Sequence, residues 1–165
     1  MTEQTELPSN KFPAYIFDVD GVLANNNHRQ HIIQHEGSKT QAEWDKFFSL
    51  GSEDLPYSDT VLLLKTLQAA GNKILICTGR NEDWLGQLRT WLTDFGIFPD
   101  EIFMRRAKDF SKDWEVKKEI WQTQIRPFYK VLGVFEDRAD CVAMWRSFGL
   151  SLIHISEPTR LRCIS

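Results

Sequence analysis

Cysteine is scarce in this chain: Cys77, Cys141 and Cys163 are the only three thiols in 165 residues. An odd, widely spaced set gives neither a disulfide framework nor a zinc pattern. Cys77 sits in an apolar run and Cys141 in a helical pattern, so both read as buried small hydrophobes. No apolar run approaches the length of a membrane span, and Met1 to Asn10 is too polar for a signal-peptide core. A reducing, cytoplasmic setting without a membrane partner is therefore expected. Positive charge is not in excess either. A net charge of -3 excludes whole-surface nucleic-acid binding and leaves room only for a local basic groove. Repeats and low-complexity tracts are absent. The remainder, 42% hydrophobic and 26% charged, is the composition of a soluble globular domain with a core and room for a small insertion.

What is present starts at Tyr15-Ile-Phe-Asp-Val-Asp-Gly-Val-Leu-Ala24. Tyr15, Ile16 and Phe17 read as a short buried strand that runs into two carboxylates, Asp18 and Asp20, before Gly21 releases the backbone. Carboxylates buried at a strand end are costly unless a cation pairs with them, and hard oxygen ligands there suit Mg²⁺. An ordinary turn after an edge strand would carry the same residues.

Residues 1–13 are polar, hold Pro8 and Pro13, and read as a loose tail. From Ala24 to Thr60 the strand–helix rhythm breaks. That segment holds His28, His31 and His35 and a helical face of Trp44, Phe47 and Phe48, which marks a small helical cap inserted over the site. The histidines have no cysteine or carboxylate at ligand spacing, so a polar face is favoured over a metal site. From Asp59, read as a helix cap, the pattern is regular. A helix carries Val61, Leu64 and Leu67 to Gly71, and Lys73–Thr78 is a strand buried on both faces. A helix with Trp84, Leu88, Trp91, Leu92 and Phe95 ends at Gly96, and Ile102–Met104 is a short strand. A helix with Val116, Ile120 and Ile125 precedes Pro127. A strand at Val131–Phe135, a helix with Cys141, Trp145 and Phe148, and a closing strand at Leu152–Ile155 complete the chain. The fold class is α/β, a doubly wound parallel sheet with a small helical cap insertion, over residues 14–155 with the insertion at about 24–60. Residues 156–165 match no periodic element. In such sheets ligands sit beyond the carboxyl ends of the strands, so Asp18 and Asp20, Thr78 and Arg80, and Glu136 and Asp137 should converge on one edge.

Asp18-Val-Asp20-Gly-Val, Thr78-Gly-Arg80, Lys117 and Glu136-Asp137 resemble the four ordered motifs of the haloacid dehalogenase superfamily. Thr78-Gly-Arg80, Asp113-Trp-Glu-Val-Lys117, Glu136-Asp-Arg138 and Met144-Trp-Arg146 look most like the 3′-phosphatase domain of phage polynucleotide kinase–phosphatases. No P-loop Gly-x-x-x-x-Gly-Lys-Ser/Thr occurs, so no kinase half is expected in this chain. The resemblance implies a Mg²⁺-dependent phosphomonoesterase acting on nucleic-acid 3′ ends or nucleotides. Asp18 would be the nucleophile that forms an aspartyl-phosphate, and Asp20 the general acid–base, needing a pKa raised by carboxylate crowding. Thr78 and the amides opening the next helix would hold a phosphate oxygen, and Lys117 would offset the charge of Asp18 and phosphate. Metal would sit among Asp18, the Asp20 carbonyl, Glu136 and Asp137. Arg29, Gly79, Arg80 and Asp113 line up with substrate-binding positions, Arg80 by a guanidinium fork matched to phosphate. Lys118 is the solvent-facing neighbour of Lys117. Arg105 and Arg106 could line a phosphodiester groove or be simply solvated, the second reading being favoured.

Two departures stand out. Glu136 replaces the usual aspartate, and its extra methylene would move the metal or require a bridging water. Val22 replaces a threonine that acts mainly through backbone. Two alternatives keep the same residues: a small-molecule phosphatase of the same superfamily, and a non-enzymatic phosphoaspartate switch, against which Asp20 stands as a built-in hydrolytic group. An insertion of this size fits a small lid open to large substrates.

Overall fold

A computed structural model describes residues 10–155 of the chain. Five strands form one parallel sheet: β1 (Phe12–Phe17), β4 (Lys73–Asn81), β5 (Glu101–Arg105), β6 (Tyr129–Glu136) and β7 (Leu152–His154), in the order β5-β4-β1-β6-β7. Five helices connect and flank them: α1 (Gln41–Ser49), α2 (Ser58–Ala69), α3 (Leu85–Asp94), α4 (Asp113–Ile120) and α5 (Ala139–Ser147). The architecture is α/β and doubly wound, as expected.

The strand sequences explain why both faces are covered. Successive side chains of a strand point to opposite faces. Phe17, Ile74 and Ile76 pack with Leu64 of α2 and with Leu88, Trp91 and Leu92 of α3 in one core. Ala14, Ile16, Leu75 and Cys77 pack with Val116 and Ile120 of α4 and with Cys141, Met144 and Trp145 of α5 in the other. Continuous apolar runs are what two buried faces require. Cys77 and Cys141 are buried as expected, and burial pushes both thiols up. Cys163 and the tail 156–165 lie outside the described residues.

Four of the boundaries that differ have a local reason. β1 starts at Phe12, inside the expected tail, because Phe12 and Pro13 pair with Tyr129 and Lys130 of β6. Asp59 is not the cap of α2. Tyr57 holds that position, while Asp59 lies in the first turn and accepts the Thr60 amide through its own side chain. β4 runs three residues past Thr78 to Asn81, so a one-turn segment, Glu82–Trp84, separates it from α3. The expected helix over Val116, Ile120 and Ile125 is α4 to Ile120 and then a wide turn over Trp121–Ile125.

The insertion is closed at its neck by a two-residue antiparallel ribbon, β2 (Ala24–Asn25) against β3 (Leu55–Pro56). Segment 26–54 therefore leaves and returns at one point, beside the end of β1. Its helix α1 is capped by Thr40, which exchanges bonds with Glu43. Trp44, Phe47 and Phe48 do share a face, and Phe48 reaches Trp84. No helix among the described residues is long and apolar enough to cross a membrane.

Candidate active site

The sheet order reverses at β1, whose neighbours are β4 and β6, so a crevice opens beyond its carboxyl end. The chain leaves β1 through a tight loop in which the amides of Val22, Leu23 and Ala24 all point at the Val19 carbonyl. Val19, Val22 and Leu23 are fully buried and pin that loop into the core. Asp18 and Asp20, on either side of Val19, are sent to two different charge networks.

The first network centres on Lys117. Its side chain is wholly buried, with Nζ at 3.1 Å from Asp18 Oδ2, 3.3 Å from Asp113 Oδ2 and 2.8 Å from Glu136 Oε2. Lys118 is exposed. Helical periodicity on α4 decides this, because Val116 and Ile120 turn the same face of α4 into the core. Burial would lower the Lys117 pKa, but Asp18, Glu136 and Asp113 outweigh it and hold it well above the ordinary lysine value. Asp18 behaves oppositely. Burial raises its pKa, Lys117 opposes this, and the crowd of Glu136, Asp137 and Asp113 adds to the rise. Asp137 is pushed up to about 7 by burial and by Glu136.

Asp18, Glu136 and Asp137 each present a carboxylate oxygen, all within 4.8 Å of one another, and no other such ligand group occurs among the described residues. Asp137 Oδ1 is buried without a hydrogen-bond partner. An unpartnered buried oxygen beside two further carboxylates is what a hard divalent cation would satisfy. Glu136 is differently placed. Its extra methylene lets Oε2 reach Lys117 and Oε1 accept the amides of Asp137 and Arg138. Gly21, at φ +79°, keeps the space open: a Cβ there would lie 2.0 Å from Asp137 Oδ2.

The second network holds Asp20. Arg80 donates to both of its oxygens, Nε at 3.0 Å and Nη2 at 2.8 Å, and Arg29 Nη2 donates at 2.6 Å. Behind the two arginines stands Asp54, completely buried. It takes Arg29 on both oxygens at 2.8 and 2.6 Å, Arg80 at 3.3 Å and His28 at 2.8 Å. Arg29 also donates to the Phe47 carbonyl and lies 4.1 Å over the Phe47 ring. The expectation for Asp20 is corrected here. Burial does raise its carboxyl, but Arg80 and then Arg29 override that and hold it at about 2. Carboxylate crowding acts instead on Asp18 and Asp137. Arg29 is fully buried, paired with Asp20 and Asp54.

The remaining expected residues fall around these networks. Thr78 is fully buried and its hydroxyl accepts the Arg80 amide at 3.2 Å. Because β4 continues to Asn81, the amides after Thr78 belong to a strand end, whereas a helix start was expected. Gly79 faces Asp113, whose Oδ1 would be 1.8 Å from a Cβ at that position. Arg105 is spent inside the protein, on the carbonyls of Gly79, Asp109 and Ser111 and on Asp113, so it lines no groove. His28 bonds Asp54 and His35 bonds Glu43, so the histidines form no ligand set. Asp54 was missed because nothing in a lone aspartate on a loop marks it. The ribbon β2–β3, which returns the chain there, was the available signal.

A parallel sheet with an acidic crevice served by one buried lysine defines a phosphatase of the haloacid dehalogenase type. The profile of the polynucleotide kinase PNKP phosphatase domain matches residues 12–159, and the chain belongs to that family. A candidate bifunctional polynucleotide kinase/RNA ligase of Autographa californica nuclear polyhedrosis virus is 27% identical over 146 residues, 87% of this chain. The chain spans only 19% of that relative. A chain from a Pnkp1/Rnl/Hen1 complex superposes with TM-score 0.74 and 25% identity, over 94% of this chain and 51% of that one. The class C acid phosphatase of Bacillus anthracis with tungstate bound shares the fold, with TM-score 0.64 and 17% identity over 92% of this chain and 69% of that one.

Asp54→Ala is expected to destabilise the protein by about 3–5 kcal/mol in urea unfolding, because it leaves the buried Arg29 guanidinium without its main partner. A loss below about 1 kcal/mol would mean that Asp54 does not hold the arginine pair.

Proposed function

We propose that this chain is a Mg²⁺-dependent phosphatase of nucleic-acid 3′ ends that works through an aspartyl-phosphate on Asp18, with residues 14–155 as the catalytic domain and segment 24–60 as its small cap. The observation that carries the reading is the pairing of the fully buried Lys117 with Asp18, next to an Asp137 oxygen that is buried and unpartnered. A phosphomonoester resists attack because its own oxygens repel a nucleophile, so the site must neutralise charge and align the attack. Asp18, Glu136 and Asp137 would hold Mg²⁺, which supplies charge neutralisation for the phosphate when bound.

The protein groups supply the rest. One Asp18 carboxylate oxygen bonds phosphorus while the ester oxygen leaves. Lys117, on the other Asp18 oxygen, keeps Asp18 in place and offsets the charge that gathers there. Val19 N–H donates to Asp18 Oδ1 at 2.7 Å and completes its orientation. Asp20 donates a proton to the leaving oxygen and then takes one from the water that splits the acyl-phosphate. Ionised as Arg80 and Arg29 hold it, Asp20 suits the second of these steps. The first becomes accessible when substrate phosphate draws on the same two cations. A short insertion closed at its neck fits a small lid, which favours a polymer end over an enclosed small substrate.

Asp18→Asn is expected to abolish Mg²⁺-dependent phosphate release from 3′-phosphorylated oligonucleotides while the wild type releases it. Full activity in that variant would remove Asp18 as nucleophile. The metal has a second signature. Asp137 holds its proton more tightly folded, to about 7, than an unfolded aspartate does at about 3.9. The metal-free fold therefore loses stability as pH rises between these values, and Mg²⁺ must displace the proton to bind. The rise in Tm given by saturating Mg²⁺ is expected to be small near about pH 5 and large near about pH 8. A rise that is equal at both would contradict the assignment of Asp137.

A further inference from the structure

The segment between β5 and α4, Arg106-Ala-Lys-Asp-Phe-Ser-Lys112, has no part in either charge network, yet it is built with care. The Arg105 guanidinium threads it, donating to the carbonyls of Asp109 and Ser111 on one side and of Gly79 on the other. The Ala107 amide donates to Glu82 in the turn that follows Arg80. The Asp109 carboxylate accepts the Ser111 amide. Lys108 has φ +59° and is the one non-glycine residue with positive φ among the described residues. Such a conformation costs energy and persists only where the surroundings enforce it.

The loop is thus stapled to the strand end that carries Thr78, Gly79 and Arg80. What it displays is unusual for a soluble surface. Phe110 is 82% exposed. Phe12, Phe98 and Phe128, the other exposed phenylalanines, all stand at the amino ends of strands, on the opposite edge of the sheet. Phe110 alone among them stands at the carboxyl edge. On this segment Arg106, Lys108 and Lys112 are exposed, beside the carboxylates of Asp109 and of Glu115 and Glu119 on α4. The segment's own residues, 106–112, carry three cations to one carboxylate in a chain of net charge -3. Arg106 has only a surface pair, 3.7 Å from Glu119.

An open aromatic face on a segment that exposes three cations, tied to the strand end beside Thr78, matches the chemistry of a nucleic-acid strand: a base stacks on the ring and the flanking phosphates meet the cations. We infer that the 106–112 loop is the subsite that binds the nucleotides adjoining the terminal phosphate, with Phe110 stacking a base and Arg106, Lys108 and Lys112 contacting the backbone. The inference rests on the polynucleotide reading above and extends it to residues outside the catalytic set. Because stacking accepts any base, the subsite favours polymers over mononucleotides without reading sequence.

The test uses the full chain with Phe110→Ala and with the pair Arg106→Gln and Lys112→Gln. Binding of a fluorescein-labelled, 3′-phosphorylated single-stranded oligonucleotide is read by anisotropy across a salt series, and turnover of a chromogenic phosphate ester is read in parallel. Phe110→Ala is expected to weaken oligonucleotide binding on the order of ten-fold and to leave ester turnover at the wild-type level. The charge variant is expected to flatten the salt dependence by about 0.7 in slope for each phosphate that is no longer neutralised. Wild-type oligonucleotide affinity and slope in all variants would overturn the assignment. So would equal losses on oligonucleotide and ester, which would make the loop a mere support of the crevice. Should the wild type turn over no phosphoester at all, the phosphatase reading fails, while the binding measurement still decides the loop.

Discussion

A single ammonium group, that of Lys117, lies with no exposed surface among Asp18, Asp113 and Glu136. An isolated charge taken from water into a protein interior costs several kcal/mol even after relaxation, and only close, well-aligned partners offset this. The arrangement therefore constrains everything around it. Lysine at this position of α4 requires carboxylates at the ends of β1 and β6. Those carboxylates in turn exceed what one lysine can neutralise, since Asp18 and Asp137 both keep raised proton affinities. A crevice with surplus negative charge and an unpartnered buried oxygen has electrostatics that a further cation would relieve.

Asp18 and Asp20 are separated by one residue yet serve opposite ends of the site. Val19 between them is buried in the core, and the tight loop fixes both directions. Asp18 meets a lysine and other carboxylates, and Asp20 meets two arginines. Their proton affinities move apart for that reason, one up and the other down. Two titratable groups one residue apart are thus divided electrostatically by their surroundings. The division depends on the insertion, because Arg29 and Asp54 both belong to it. The cap is thus part of the electrostatics of the site and not only a cover.

The sheet and its helices were legible because their signals are local. Lys73 to Thr78 is a run of apolar residues that only a strand covered on both faces accommodates, and Gly71, Gly96 and Gly149 end helices at positive φ. Lys117 could be told from Lys118 by sequence kinship, and in the fold Val116, Lys117 and Ile120 share the buried face of α4. What could not be read was every feature set by contact across the fold. Asp54 has no distinguishing neighbours in the sequence. The low proton affinity of Asp20 comes from Arg29 and Arg80, nine and sixty residues away. Arg105 looked like a free cation because its partners are carbonyls, which carry no sequence mark. The extra reach of Glu136 was expected to disturb a metal, whereas its visible consequence is a bond to Lys117.

The dependence of the site on its buried lysine is most directly measured by a double-mutant cycle in metal-free buffer, with Lys117→Met, Glu136→Gln and the two combined, followed by urea unfolding. Lys117→Met alone is expected to cost about 3–5 kcal/mol, since it strands buried carboxylates. Glu136→Gln in the Lys117→Met background is expected to recover part of that loss, giving a coupling of at least about 1 kcal/mol between the two positions. Losses that add to within about 0.5 kcal/mol would contradict the claim that Lys117 and the carboxylates form one charge network.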